Sequence, residues 1–87
     1  MDIKKPARAG TMESNDIYIM ITPNQGLGIN IELESIAFKQ FGNQIKKVIL
    51  ETLNNLDIKD AHIVAKDRGA LDFTIKSRVE TAVYRAL

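Results

Sequence analysis

The sequence predicts an α+β fold, a two-layer sandwich in which two helices cover one face of a small mixed four-stranded sheet. Short segments with β-branched or alternating apolar residues indicate strands. Two later segments carry apolar residues at spacings of three and four, which is typical of amphipathic helices. The order is strand-strand-strand-helix-strand-helix, and two apolar helical faces need a sheet to cover them.

The first two strands form a predicted hairpin. Residues 7–12 follow Pro6 and predict a short edge strand, because proline has no N–H to donate to a neighbouring strand. Residues 17–22 are rich in isoleucine and predict the second strand. The polar cluster at residues 13–16 predicts the turn between them, with Ser14 near its tip.

The rest of the chain alternates between helices and strands. Residues 29–34 alternate strictly, which is typical of a half-exposed antiparallel strand. Helical spacing predicts helices over residues 36–55, with Ser35 as N-cap, and over residues 70–86. Residues 61–66 predict the fourth strand, and a right-handed crossover makes it parallel to the third. The helical residues expected to be buried against the sheet are Phe41, Ile45, Ile49, Leu53, Ile75 and Val79.

Composition narrows the class of protein. The chain has 87 residues, 45% of them hydrophobic, and a net charge of +1. This length predicts one domain over residues 1–87, and the near-neutral charge argues against a nucleic-acid partner. Without cysteine there is no disulfide, thiolate zinc site or catalytic thiol. No apolar run reaches the length of a membrane span and the N-terminus lacks a signal-peptide pattern, so we expect a cytoplasmic protein without a membrane partner.

No group of residues suggests catalysis or metal binding by the chain itself. The single histidine, His62, has no neighbouring Cys or His, so we expect a strand position facing solvent or an interface. Residues 26–28 contain two glycines but precede a strand, which indicates a loop rather than a dinucleotide-binding turn. Lys46 and Lys47 are typical of a solvated helix face.

Two segments carry more information than the others. Residues 9–16 form the predicted hairpin, in which Ser14 is on general grounds a turn serine. Residues 67–72 predict a turn followed by the start of a helix, where Asp67 or Asp72 would favour the positive end of the helix dipole.

Taken together, these segments resemble a known family. Ala9-Gly-Thr-Met-Glu-Ser14-Asn-Asp16 closely resembles the N-terminal motif of the citrate lyase acyl carrier proteins, the gamma subunits of citrate lyase. Gln40-Phe41-Gly42 matches the middle of that family, and Asp67-Arg-Gly-Ala-Leu-Asp72 resembles its second signature. The likeness is nearly collinear over residues 1–87.

The resemblance implies a non-catalytic carrier. In that family, the serine that matches Ser14 carries 2′-(5″-phosphoribosyl)-3′-dephospho-coenzyme A through a phosphodiester. An alpha subunit (acyl transferase) exchanges acetyl for citryl on the thiol of this prosthetic group, and a beta subunit (citryl lyase) cleaves the citryl thioester to oxaloacetate. A prosthetic-group transferase is the third implied partner. The absence of a thiol in this chain agrees with chemistry supplied by an attached group.

The prosthetic group is anionic, so charges near Ser14 bear on its attachment. The cations close to the serine in sequence are Lys4, Lys5 and Arg8. Arg68 is a further candidate for screening the phosphates if its loop lies at the same end of the sheet. Glu13 and Asp16 flank the serine and would repel phosphates, so we expect them to form turn hydrogen bonds or to be recognised by the attaching enzyme.

Two other interpretations stay open. The acyl carrier subunit of malonate decarboxylase bears the same kind of cofactor on a serine, although the segments that begin at Ala9 and Asp67 favour citrate lyase. A small α+β interaction module without any modification is the other interpretation. The intact mass of native protein separates it from a carrier, because a loaded carrier is heavier by one prosthetic group.

Overall fold

The computed structural model describes residues 1–87 and contains six elements in the predicted order. The strands are β1 Ala7–Ala9, β2 Ile17–Thr22, β3 Ile29–Ser35 and β4 Ala61–Asp67. The helices are α1 Phe38–Asn55 and α2 Asp72–Ala86. The predicted α+β class is confirmed. β1 is shorter than predicted because Gly10, with a φ of +87°, turns the chain away from the ladder.

The strands form one mixed sheet in the order β1-β2-β4-β3. β1 pairs antiparallel with β2, β2 antiparallel with β4, and β3 parallel with β4. The predicted hairpin, the edge position of the first strand and the parallel pairing are confirmed. The antiparallel character predicted for the third strand is wrong, because α1 returns the chain so that β3 and its only neighbour run in the same direction. The alternation in β3 instead reflects a sheet that the helices cover on one face only.

Both helices pack on the same face of the sheet. α1 contacts β3, α2 contacts β1 and β2, and the two helices contact each other. Residues alternate along β4 between buried and half-buried, and the buried set faces the helices. Five of the six predicted core residues of the helices are confirmed as buried: Ile45, Ile49, Leu53, Ile75 and Val79.

Phe41 is the exception, since 55% of its surface is exposed and the prediction that it is buried is wrong. It shares a helical face with Ile45, four residues later. The first turns of α1 lie near the end of the sheet, however, and there Phe41 lines an open cleft with Ala70 and Leu71. Spacing assigns the correct face of the helix but not the point at which the sheet stops covering it. Neither helix combines the length and the apolar character that crossing a membrane requires.

Candidate functional site

Ser14 lies in the exposed loop that joins β1 to β2. The turn is held by two hydrogen bonds: Asp16 N donates to Glu13 O at 3.2 Å, and Glu13 N donates to Thr11 Oγ1 at 3.2 Å. None of the hydrogen bonds of this loop uses the Ser14 hydroxyl. The loop therefore presents a free hydroxyl to solvent from a backbone that is fixed on both sides.

Asp16 anchors the end of this loop that adjoins β2, and only 9% of its surface is exposed. Arg78 of α2 donates to both carboxylate oxygens, from Nε at 3.0 Å and from Nη2 at 2.8 Å. Thr11 Oγ1 and Ile17 N each donate to the same carboxylate at 2.7 Å. Burial raises the pKa of Asp16, but the hydrogen bonds from Arg78, Thr11 and Ile17 outweigh it and lower the pKa from 3.8 to about 2. Of the two roles expected for Asp16, the structure shows turn hydrogen bonding.

Arg78 is the site residue that sequence reasoning missed. A signal was present, because Arg78 follows Ile75 by three residues and precedes Ala82 by four, so it lies within the apolar stripe of α2. A charged side chain in such a stripe needs a partner for its charge. Asp16 is that partner, 62 residues away in sequence, and a separation of this size leaves no local pattern to find.

Asp67 organises the turn of the second segment, residues 67–72, at the carboxyl end of β4. Its buried carboxylate accepts hydrogen bonds from Gly69 N at 3.1 Å, from Ala70 N at 2.9 Å and from Ser35 Oγ at 2.8 Å. Ser35 Oγ in turn accepts from Ala37 N at 3.0 Å. The prediction of Ser35 as N-cap is wrong, since the N-cap is Ala37 without a side-chain cap, and the serine instead ties the start of α1 to Asp67.

The two sequence segments meet at the Ser14 loop. Asn15 N donates to Arg68 O at 2.8 Å, and Arg68 N donates to Asp16 O at 2.9 Å. The Arg68 side chain reaches back across the loop, where its Nε donates to Met12 O at 3.2 Å. Arg68 thus contacts the loop on both sides of Ser14, which confirms that the two loops lie at the same end of the sheet.

The N-terminal cations lie elsewhere. The backbone N–H groups of Lys4 and Lys5 donate to Ala86 O at 2.9 and 3.3 Å, at the last residue of α2. Arg78, which contacts the Ser14 loop, is eight residues earlier and so about 12 Å away along the helix. The proposal that Lys4 and Lys5 screen charge at Ser14 is therefore not supported by their position.

An open cleft of about 350 Å³ adjoins this end of the molecule, between the first turns of α1 and residues 67–72. Its rim includes the exposed apolar side chains of Phe41 and Leu71. A Cβ placed on Gly69 would lie 3.7 Å from Asn15 Oδ1 and 3.8 Å from Ile36 Cδ1. The Ser14 loop and an exposed apolar surface are therefore neighbours.

His62 lies on the opposite, helix-free face of the sheet. Its Nε2 is 2.7 Å from Glu32 Oε2 of the adjacent strand, and its side chain is 27% exposed. This agrees with the predicted strand position facing solvent. No group of three or more His, Cys, Asp or Glu side chains is arranged to hold a metal ion.

Comparison with known proteins identifies the family. The citrate lyase acyl carrier protein of Halothermothrix orenii is 54% identical over 86 residues, which cover 99% of this chain and 90% of the relative. The proteins of the same name from Streptococcus mutans and Escherichia fergusonii are 55% and 48% identical, with 84% and 89% of each relative covered. The chain belongs to the citrate lyase acyl carrier protein family. The resemblance drawn from the sequence motifs is thereby confirmed.

More distant similarity extends beyond the citrate lyase acyl carrier proteins. A family model described as the malonate decarboxylase delta subunit matches residues 4–86. A chain in the crystal structure of a Pseudomonas malonate decarboxylase hetero-tetramer in complex with malonate superposes with a TM-score of 0.78. The match covers 100% of this chain and 93% of that chain at 16% identity, which shows a shared fold. The malonate decarboxylase alternative is the weaker one because its identity is far below that of the citrate lyase relatives.

Proposed function

We propose that the chain is the acyl carrier subunit of a citrate lyase and that Ser14 carries 2′-(5″-phosphoribosyl)-3′-dephospho-coenzyme A through a phosphodiester. The observation that carries the proposal is the free hydroxyl of Ser14 on a loop fixed from below by Asp16 and Arg78. Membership of the citrate lyase acyl carrier protein family supports it.

The residues at the loop fit such a group. The Ser14 oxygen is exposed and makes none of the loop's own hydrogen bonds, so modification removes no internal contact. Gly10 carries the chain away from the sheet at φ +87°, and the Asp16–Arg78 pair holds the base of the loop. When bound, the group supplies the thiol that forms acyl thioesters, a function that a chain without cysteine lacks.

The chain's own residues act as a scaffold in this proposal. The two buried carboxylates, Asp16 and Asp67, are each occupied by several internal hydrogen bonds. Asp16 accepts four internal hydrogen bonds and Asp67 three, and both residues are buried, so both carboxylates are committed mainly to holding their turns. We therefore assign acyl exchange and citryl cleavage to the alpha and beta subunits, and treat residues 1–87 as one non-catalytic carrier domain acting in the cytoplasm.

The proposed partners are the alpha acyl transferase, the beta citryl lyase and a prosthetic-group transferase. One chain of a hetero-tetrameric malonate decarboxylase shares the fold of this protein. This likeness supports the proposal that the protein acts in a multi-subunit complex. The exposed side chains of Ile36, Phe41 and Leu71 lie at the Ser14 end of the molecule and supply apolar area for such contacts.

Reconstitution tests this function. Purified alpha and beta subunits are mixed with loaded wild-type carrier, and the oxaloacetate formed from citrate is measured. The mixture should cleave citrate, whereas the isolated loaded carrier should not. Ser77→Ala, at an exposed serine of α2, should behave as wild type. Oxaloacetate release by the isolated chain would contradict the carrier role, and activity only with malonate decarboxylase subunits would favour the malonate alternative.

A further inference from the structure

Two arginines contact the Ser14 loop, and their guanidinium groups are occupied to different extents. Arg78 donates to both oxygens of the Asp16 carboxylate and is the ion-pair partner of that residue. Arg68 is exposed, and its side chain makes one hydrogen bond, from Nε to Met12 O. Arg68 takes part in none of the ion pairs of the molecule. Its two terminal nitrogens therefore remain available to an anion.

The position of Arg68 is fixed by the backbone on either side of the serine. Its carbonyl accepts a hydrogen bond from Asn15 N at 2.8 Å, and Asn15 directly follows Ser14. Its Nε bonds the carbonyl of Met12, two residues before Ser14. A guanidinium group has two edges that can each donate two hydrogen bonds. Because the Met12 carbonyl occupies Nε, the edge formed by Nη1 and Nη2 is the one left for a ligand.

The other charged groups around Ser14 do not compete for this role. Asp16 is satisfied by Arg78, and the carboxylate of Asp67 accepts from Ser35 Oγ and from two backbone N–H groups. Glu13 is exposed beside the serine and adds a negative charge that a phosphate ester would face. A cation at this position would offset that repulsion.

We propose that the Nη1–Nη2 edge of Arg68 binds the phosphodiester that joins Ser14 to its prosthetic group. This inference rests on the proposed function, because it needs the group on Ser14. Arginine donates two parallel hydrogen bonds to a phosphate, a geometry that the point charge of lysine does not provide. Arg68 is thus a binding residue that holds the phosphodiester end of the prosthetic group against the loop.

Nuclear magnetic resonance of unloaded and loaded protein tests the proposal. Loading should shift the Arg68 Nε–H signal and leave that of Arg85 unchanged. In loaded protein, Arg68→Gln should shift the ³¹P signal of the phosphodiester, while the diphosphate signals of the same group serve as an internal reference. Arg85→Gln is the matched control, since Arg85 is also exposed and donates one hydrogen bond to a carbonyl, that of Arg8 at 2.9 Å. It should leave the phosphodiester signal in place.

Arg68→Lys separates charge from geometry, and we expect it to resemble Arg68→Gln more than wild type. The difference between wild type and Arg68→Gln should shrink in 1 M salt, where exposed charges are screened. The loading comparison on wild type needs no substitution, so it decides the proposal even if a variant does not fold. Unchanged Arg68 and ³¹P signals in protein whose mass shows the group on Ser14 would overturn the Arg68 proposal alone. A mass without any group on Ser14 after incubation with the attaching enzyme would overturn both proposals.

Discussion

The carboxylate of Asp16 and the guanidinium group of Arg78 form a two-point pair, with N···O distances of 3.0 and 2.8 Å, that joins the Ser14 loop to the middle of α2. The pair spans 62 residues of sequence and links this loop to the helical layer by two side-chain hydrogen bonds. It fixes the position of the exposed hairpin loop that carries Ser14.

Removing this contact should destabilise the protein. Arg78→Ala leaves the carboxylate of Asp16 without its charged partner, and we expect a loss of about 2 kcal/mol in the free energy of unfolding. Lys76→Ala is the matched control on the exposed side of the same helix, with an expected change of about 0.5 kcal/mol or less. Urea unfolding of both variants measures this. Equal midpoints for the two variants would show that the pair does not anchor the loop.

The same pair predicts how stability depends on pH. The pKa of Asp16 is lowered from 3.8 to about 2 in the folded protein, so its ionised form is the one that folding favours. The stabilisation is therefore complete above about pH 4 and is lost as the pH falls toward about 2. Asp16→Asn should lack this part of the acid dependence. Unfolding free energies of wild type and variant from pH 2 to 6 test it, and parallel curves would contradict it.

Gly10 is predicted to be far less tolerant of substitution than Gly26, although the two have similar φ angles of +87° and +82°. A Cβ on Gly10 would lie 1.8 Å from the carbonyl oxygen of Ile17, whereas a Cβ on Gly26 meets nothing within 4 Å. Gly26→Ala should cost about 1 kcal/mol from its backbone angle, and Gly10→Ala about 3 kcal/mol or more once the clash is added. Thermal melting of both variants measures the difference, and similar melting temperatures would refute it.

Because Phe41 is exposed, truncating it should reduce the free energy of unfolding less than truncating a buried residue of the same helix. Ile49→Ala, at a fully buried site, should cost about 3 kcal/mol. Phe41→Ala should cost about 1 kcal/mol or less, because more than half of its surface already faces solvent. Denaturant midpoints compare the two variants. A larger loss at Phe41 would mean that its ring packs into the core after all.

Much of this fold follows from local pattern. The four strands and both helices follow from side-chain periodicity, and the parallel pairing of β3 and β4 follows from one crossover helix. The sequence pattern could not predict the features that depend on where one element ends relative to the element on which it packs. Phe41 continues the correct helical face but lies near the end of the sheet, and Ser35 bonds Asp67 and Ala37 N instead of capping α1.

The residues of the candidate site also fall into two groups, those that the sequence pattern predicts and those that depend on tertiary contacts. Ser14 and its turn follow from the polar cluster and from the family motif. The role of Arg78 does not follow from the sequence, because its partner Asp16 is 62 residues away and no local spacing pattern connects the two residues. The contact of Arg68 with Met12 likewise needs the two loops to be brought together by the pairing of β2 with β4.

The intact mass of Ser14→Ala after incubation with the attaching enzyme and the cofactor precursor shows whether Ser14 carries the prosthetic group. The Ser14→Ala variant should fold normally, since removal of one exposed hydroxyl changes stability by about 0.5 kcal/mol or less. Wild type and Ser77→Ala should each gain the mass of one prosthetic group, with peptide mapping placing it on Ser14. The Ser14→Ala variant should keep the mass of the bare chain. A full mass gain in that variant would contradict the assignment and show that another residue carries the group.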